Sequence, residues 1–164
     1  MFYKMIENKC KEWYSSDQCT VRNLIEYIEK TGQMRDAQIE AIKVYLFLKI
    51  GCECKPLEFL FRYGCFNSIN LNDIELSTAT REYLEKNPAA TALLEYSRLT
   101  NDKGEQVSEK LEKQIKKDPS SIDYDGFFRT AFYGVSYTDY LFSLPMGAGK
   151  TYLMAAFIYL DLYL

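Results

Sequence analysis

Residues 137–164 place a glycine-rich turn between two apolar runs, and this arrangement limits the possible fold more than any other feature of the sequence. The run Tyr137–Leu144 is rich in strand-forming residues and has an apolar finish, which is typical of a buried parallel strand. The run Tyr152–Leu164 carries one formal charge, Asp161, and favours an apolar helix that is covered on more than one side. The segment therefore predicts a strand, a tight loop and a helix, in that order.

The loop between these runs has the residue types that phosphate binding requires. Such a loop needs glycines, so that successive backbone N–H groups can turn inward, and a helix N-terminus that adds positive dipole. It also needs a lysine that reaches the β- and γ-phosphates and a hydroxyl that binds magnesium. The sequence supplies them in order as Gly147, Ala148, Gly149, Lys150 and Thr151. The alternative is a glycine turn that happens to precede a lysine.

Two motifs resemble those of superfamily-two helicases and translocases. Leu144–Thr151 is similar to motif I of that family, which often reads Pro-Thr-Gly-Ser-Gly-Lys-Thr, although the wider phosphate-loop pattern has a glycine in place of Leu144. Met34–Ile42 resembles the Arg-x-x-Gln-x-Glu-Ala-Ile stretch that opens many of these ATPases, with Arg35 and Gln38 at the matching positions. In the family this glutamine bonds adenine, because an amide can both donate and accept. By themselves, Arg35 and Gln38 are ordinary residues at the start of an amphipathic helix.

The resemblance extends to the DEAD/DEAH-like ATPase subunits of type III restriction endonucleases. It implies ATP and Mg²⁺ as cofactors, with Thr151 contacting the metal of the bound nucleotide, and DNA as a partner of the full-length parent. The family's Asp-Glu pair and later motifs are absent from this sequence, so we expect no catalytic residue here. The expectation is an N-terminal nucleotide-binding fragment of a longer ATPase, not competent alone, that depends on further C-terminal domains or a partner subunit.

Residues 1–136 are predicted to be helical, which makes the fold class mainly α. This region leads into residues 137–164, the first strand–P-loop–helix unit of an incomplete RecA-like α/β domain. Gln38 and Lys150 are 112 positions apart, much more than in the family, so residues 52–136 are expected to be a helical insertion. Five of the predicted helices are 2–14, the Q-like motif helix at about 34–50, 56–63, about 89–99 and 124–133. A further helix is capped by Thr20 and stopped by Gly32, and another runs from Ser77 or Thr78 to Lys86. The last is an exposed helix within 101–118, supported by the pairs Glu109/Lys113 and Glu112/Lys116.

Composition excludes several chemistries. The chain has no histidine, which removes Ser-His-Asp, Cys-His and histidine-ligated zinc mechanisms. Its five cysteines are odd in number and irregularly spaced, and its N-terminus is too charged for a signal peptide, so we expect a reducing cytoplasm. A metal held by Cys52, Cys54 and Cys65 would lack a fourth ligand at a familiar spacing. No apolar run reaches the roughly 20 residues that a spanning helix needs, so no membrane is expected.

A second function of a different class stays open at this point. The many aromatic residues and an apolar C-terminal helix also suit a helical protein-interaction module whose phosphate loop is vestigial. A phosphate-loop ATPase or kinase of another family is a third possibility, in which the Q-like motif would be coincidence. The net charge of −3 provides no global attraction for a nucleic-acid backbone, and the sequence does not specify the nucleic acid.

Overall fold

A computed structural model describes residues 1–133, 140–144 and 146–164, and the chain is mainly helical. None of these described residues lies in a β-strand, and none of the described helices is long and apolar enough to cross a bilayer. The α-helices are α1 Phe2–Ser15, α2 Arg22–Thr31, α3 Asp36–Leu46, α4 Leu57–Arg62, α5 Thr78–Lys86, α6 Pro88–Arg98, α7 Glu109–Lys117, α8 Tyr124–Ala131 and α9 Lys150–Tyr163. Shorter turns are a π-helix at Phe47–Gly51 and 3₁₀ turns at Leu71–Asp73 and Pro119–Ser121.

The chain divides into two compact units. Unit 1 consists of Met1–Lys9 and Lys55–Thr138, and unit 2 consists of Cys10–Cys54 and Asp139–Leu164. Helix α1 therefore starts in unit 1 and ends in unit 2. Unit 2 also contains α2, α3 and α9, and so holds both of the motifs that the sequence singles out.

Unit 1 has an aromatic core. Phe61 and Phe128 are fully buried and stack with ring centroids 5.8 Å apart. Phe2 stacks on Tyr96 at 4.1 Å and tilts against Phe61 at 4.8 Å. Aromatic pairs of this kind add about 0.5–1.5 kcal/mol beyond the burial of their area. These contacts hold the first turn of α1 against α4, α6 and α8.

In unit 2, α9 lies along α3. The Tyr45 ring stacks on Phe157 with centroids 4.5 Å apart, and its hydroxyl donates to Asp161 Oδ1 at 2.6 Å. Lys49, in the π-helix that continues α3, forms an ion pair with the same carboxylate. One face of α9 is thus fixed by stacking and by charge.

Several predicted helix ends are confirmed. The Ser77 side chain accepts from Thr80 N at 3.1 Å and caps α5, and Gly32 follows the last residue of α2. The prediction that Thr20 caps α2 is wrong, because the residue before that helix is Val21 and no side chain caps it. The Q-like motif helix expected at about 34–50 begins at Asp36, is an α-helix only to Leu46, and continues in π geometry from Phe47 to Gly51.

Two predictions about the C-terminal segment differ from the structure: the strand at 137–144, and the burial of the last helix on more than one side. Residues 137–139 of the strand lie outside the described residues, and 140–144 are irregular. A strand needs a hydrogen-bonded neighbour to be stable, and the described segments provide none. In α9 only Leu153 and Leu160 are buried, so the helix is covered on one side rather than several.

Candidate functional site

The candidate site is the glycine turn at the N-terminus of α9. Gly149 is the residue before the helix, with φ 77° and ψ 45°, and Gly147 also has φ 77°. A side chain in this left-handed region costs roughly 1–2 kcal/mol, which explains why the turn has glycine at both positions. Ala148 between them is buried, whereas Lys150 and Thr151 are exposed.

Two backbone donors at the start of α9 have no partner among the described residues. The N–H groups of Tyr152 and Leu153 both donate to Gly149 O at 3.1 Å. Among the described residues, no acceptor faces the N–H groups of Lys150 and Thr151, and no side chain caps the helix. Unpaired N–H groups at a helix N-terminus, together with the helix dipole, favour an anion there.

Two residues of the upstream motif hold this turn in place. The Arg35 guanidinium donates to the carbonyl of Gly147, and Gln38 Nε2 donates to the carbonyl of Gly149 at 2.9 Å. Peptide planarity then requires that the N–H groups of Ala148 and Lys150 point away from Arg35 and Gln38. The motif residues therefore bind the carbonyl side of the turn and direct its amides to the opposite side.

Gln38 is the central residue of this arrangement. Its side chain is 4% exposed, and its Oε1 accepts from the Arg35 N–H at 2.8 Å while Nε2 binds the turn. One donor and one acceptor of the amide are thus already used. The contact of Gln38 with adenine stays a prediction, since the structure places this amide beneath the loop.

The structure brings the predicted site residues together in unit 2, although the sequence separates them by more than a hundred positions. The roles of Lys150 toward phosphate and of Thr151 toward magnesium stay predictions. The residues that converge at the turn are Arg35, Gln38, Gly147, Ala148, Gly149, Lys150 and Thr151.

The contacts that position α9 were missed at the level of sequence. The hydrogen bond from Lys49, and then that from Tyr45, lower the pKa of Asp161. Burial first, and then the carboxylate of Asp161, raise the pKa of Tyr45. The signal that could have indicated this contact is Asp161, the one charged residue among the apolar residues 152–164, because a carboxylate forms strong hydrogen bonds with a lysine or a phenol nearby.

A second missed contact ties the start of α9 to the end of α2. The Tyr152 hydroxyl donates to the carbonyl of Gly32 at 3.1 Å. Tyr152 stands in the first turn of α9, and Gly32 lies three residues before Arg35. The segment that carries Arg35 therefore contacts both the loop and the helix that follows it.

The cysteines show no metal centre. Within 1–133, 140–144 and 146–164, no group of three or more histidine, cysteine or acidic side chains could hold a metal ion. Cys10, Cys19 and Cys52 are buried, whereas Cys54 and Cys65 are exposed, and all five are free thiols. Burial raises the pKa of Cys10 to about 12, which keeps this thiol protonated and unreactive.

Comparisons of the chain with protein-family models, curated proteins and solved structures found no match. The chemistry of the site is therefore argued from its own geometry and from the two sequence motifs.

Proposed function

We propose that this chain binds a magnesium nucleoside triphosphate, ATP, at the turn Gly147–Thr151. The observation that carries the proposal is the pair of left-handed glycines at the start of α9, held from their carbonyl side by Arg35 and Gln38. This arrangement supports binding because it turns amides toward a common side before any ligand arrives. A site that is already ordered loses less conformational entropy when the ligand binds.

Each residue has a distinct role in this proposal. The open N–H groups of Lys150 and Thr151 donate to phosphate oxygens, and the helix dipole adds positive potential. The Lys150 ammonium group neutralises the β- and γ-phosphates, and the Thr151 hydroxyl completes the coordination of Mg²⁺. Arg35 and Gln38 position the turn from behind. Because Arg35 and Gly149 already use one acceptor and one donor of the Gln38 amide, only its second N–H and the second lone pair of Oε1 are left to contact adenine.

The wider activity that we propose is that of an ATP-dependent nucleic-acid helicase or translocase similar to restriction-enzyme ATPase subunits. Its support is the order of the two motifs and their contact in unit 2. In this proposal the turn Gly147–Thr151 and α9 are the phosphate-binding part of a RecA-like ATPase domain, and DNA is the partner of that ATPase. Phosphoryl transfer needs several groups that act together, so this chain binds nucleotide without appreciable turnover.

Thermal unfolding with and without nucleotide tests the proposal. Trp13 is the only tryptophan and lies buried in unit 2, so its fluorescence reports on the unit that contains the loop. Millimolar Mg²⁺–ATP should raise the Tm, since a ligand at 100 times its Kd adds about 2.7 kcal/mol of stability. Lys150→Ala should abolish the rise.

Matched variants separate the site from general charge effects. Lys110→Ala removes another exposed lysine, in the first turn of α7, and should keep the full shift. Thr151→Ala should lose the part of the shift that depends on Mg²⁺, and Thr151→Ser should retain it. An unchanged Tm for the wild-type chain at millimolar Mg²⁺–ATP would contradict the proposal.

One observation favours the alternative of a helical protein-interaction module. The outer face of α9 exposes Met154, Ile158 and Leu162, the last at 85%. Exposed apolar side chains on one helix are typical of a docking face. In that case the chain self-associates or binds a partner to the same extent in Lys150→Ala as in wild type, as measured by light scattering after gel filtration. A nucleotide-dependent Tm that requires Lys150 excludes a purely vestigial loop.

A further inference from the structure

An apolar groove in unit 2 lies between α2 and α9. Its volume is about 330 Å³, and none of the described residues that line it is an aspartate, glutamate, lysine or arginine. Helix α2 contributes Leu24, Tyr27 and Ile28 to the walls, and α9 contributes the short side chains of Ala155 and Ala156. Two alanines on one wall leave space in which larger apolar side chains of another helix can pack.

A row of exposed apolar side chains on α9 lies beside this groove. Met154, Ile158 and Leu162 are four residues apart, so they form one ridge along the helix, about 12 Å long at a rise of 1.5 Å per residue. All three are at least 60% exposed. Met154 directly precedes Ala155, and Ile158 directly precedes Tyr159, and both of these following residues line the groove. The ridge and the groove are therefore neighbouring parts of one apolar surface.

This surface is larger than the apolar patches that monomers normally expose. Six of its large side chains are each more than half exposed, namely Tyr27, Tyr152, Met154, Ile158, Tyr159 and Leu162. A fully exposed side chain of this size presents about 200 Å², so the exposed fractions amount to roughly 800 Å². The largest apolar patch of a typical monomer is about 300–600 Å². A stable protein–protein interface buries about 800 Å² on each partner, which is the size of this surface.

We propose that a second copy of this chain covers this surface, with the ridge of each copy packed into the groove of the other. A two-fold axis makes the contact self-complementary, because each copy offers both the ridge and the groove. Rows of side chains four residues apart are the ridges that pack between neighbouring helices. A residue near the axis meets its own copy, where like charges would repel. The ridge and the described groove residues carry no charge, so this repulsion does not arise.

Sedimentation velocity of the full chain measures the dimer. One copy has a mass of 19.2 kDa. At about 50 µM the wild-type chain should sediment with twice that mass, because interfaces of this area have dissociation constants from micromolar down to picomolar. Ile158→Glu on the ridge and Tyr27→Lys in the groove should each weaken the dimer by at least about a hundredfold, because each buries a charge without a partner.

Controls separate a lost contact from a lost fold. Ile158 and Tyr27 are largely exposed in the single chain, so the circular dichroism spectrum of each variant should equal that of wild type. Tyr63→Lys is the matched control for Tyr27→Lys, because Tyr63 is 63% exposed and Tyr27 64%, but Tyr63 lies in unit 1. It should leave the dissociation constant of the dimer unchanged.

A mixture of the two variants tests the arrangement of the contact. In a pair of one Ile158→Glu chain and one Tyr27→Lys chain, one ridge meets one groove with the introduced carboxylate beside the introduced ammonium group, and the other ridge and groove keep their wild-type residues. An equimolar mixture should therefore form dimers with one chain of each kind, within about tenfold of the wild-type affinity, although neither variant dimerises alone.

Four results would overturn the inference. They are a wild-type chain that stays at 19.2 kDa, a dimer that neither variant weakens, a variant mixture that stays monomeric, and growth beyond two copies, since a two-fold contact closes on itself.

The dimer does not rest on nucleotide binding, because none of the described residues of the ridge and groove belongs to the turn Gly147–Thr151. Lys150→Ala should dimerise as wild type does, and Ile158→Glu should keep the rise in Tm with Mg²⁺–ATP. Absence of that rise in the wild-type chain contradicts the proposed function and leaves the dimer standing.

Discussion

Substitution of Gly149 by alanine should destabilise unit 2 more than the same substitution at Gly147. Both glycines have φ 77°, so alanine costs roughly 1–2 kcal/mol at either position, offset in part by a stiffer unfolded chain. The two positions differ in their surroundings. A Cβ at Gly147 meets nothing within 4 Å, whereas a Cβ at Gly149 would lie 2.7 Å from Gln38 Nε2. The Gln38 amide must then move and lose its bond to Gly149 O, which adds at least about 1 kcal/mol.

Urea unfolding followed by Trp13 fluorescence measures both costs in the same unit. We expect a loss of about 1 kcal/mol for Gly147→Ala and about 2–3 kcal/mol for Gly149→Ala. A double-variant cycle isolates the contact: after Gln38→Ser, adding Gly149→Ala should cost only as much as Gly147→Ala does. Equal losses for the two single variants, or no coupling between positions 38 and 149, would show that the hydrogen bond from Gln38 is not the reason for glycine at position 149.

Two further predictions concern charge and thiol chemistry. Burial alone would raise the pKa of Glu112, but hydrogen bonds from Lys116 and Gln106 and the charge of Arg98 hold it at about 2. The stability that this carboxylate contributes is therefore present above pH 4.5 and is lost as the pH falls toward 2. Glu112→Gln should be less stable than wild type at pH 7 and as stable as wild type near pH 2. Unfolding followed by circular dichroism at the two pH values measures this difference. In native protein at pH 8, Ellman's reagent should modify the exposed thiol of Cys54 within minutes and leave that of Cys10 intact until the chain unfolds; fast modification of Cys10 would contradict its burial.

Helices were predictable where local signals agree with one another. Ser77 before a helical pattern marks a real helix start, because a capping side chain acts within one turn of the chain. The next helix, expected from about 89, starts one residue earlier, at Pro88. The pairs Glu109/Lys113 and Glu112/Lys116 are also present as ion pairs. The failure at Thr20 and the change to π geometry at Phe47 have no such local cause.

The sequence predicts that the two motifs meet at the glycine turn, but it does not predict the contacts between them. The spacing of Gly147 and Gly149 before Lys150 indicates a turn with inward amides, and both glycines are left-handed. The resemblance to superfamily-two helicases implies that Gln38 acts at the same site and forms hydrogen bonds with adenine. The structure places the buried amide of Gln38 on Gly149 O, and its contact with adenine stays a prediction. A side chain with both a donor and an acceptor can serve either role, so its partner is decided by the fold rather than by its chemistry.

The long separation of the two motifs does not count against a shared site. Unit 2 is interrupted in sequence by Lys55–Thr138, roughly 84 residues that belong to unit 1. The entropy of closing a loop grows with the logarithm of its length, so this connection costs only about 2 kcal/mol more than one of 10 residues. The contacts that closure creates, from Gln38 to Gly149 and from Tyr45 to Phe157, are each worth about 1 kcal/mol. Together they are of the same size as the added cost, so an insertion of this size after Cys54 is compatible with a turn that is held by residues more than a hundred positions away.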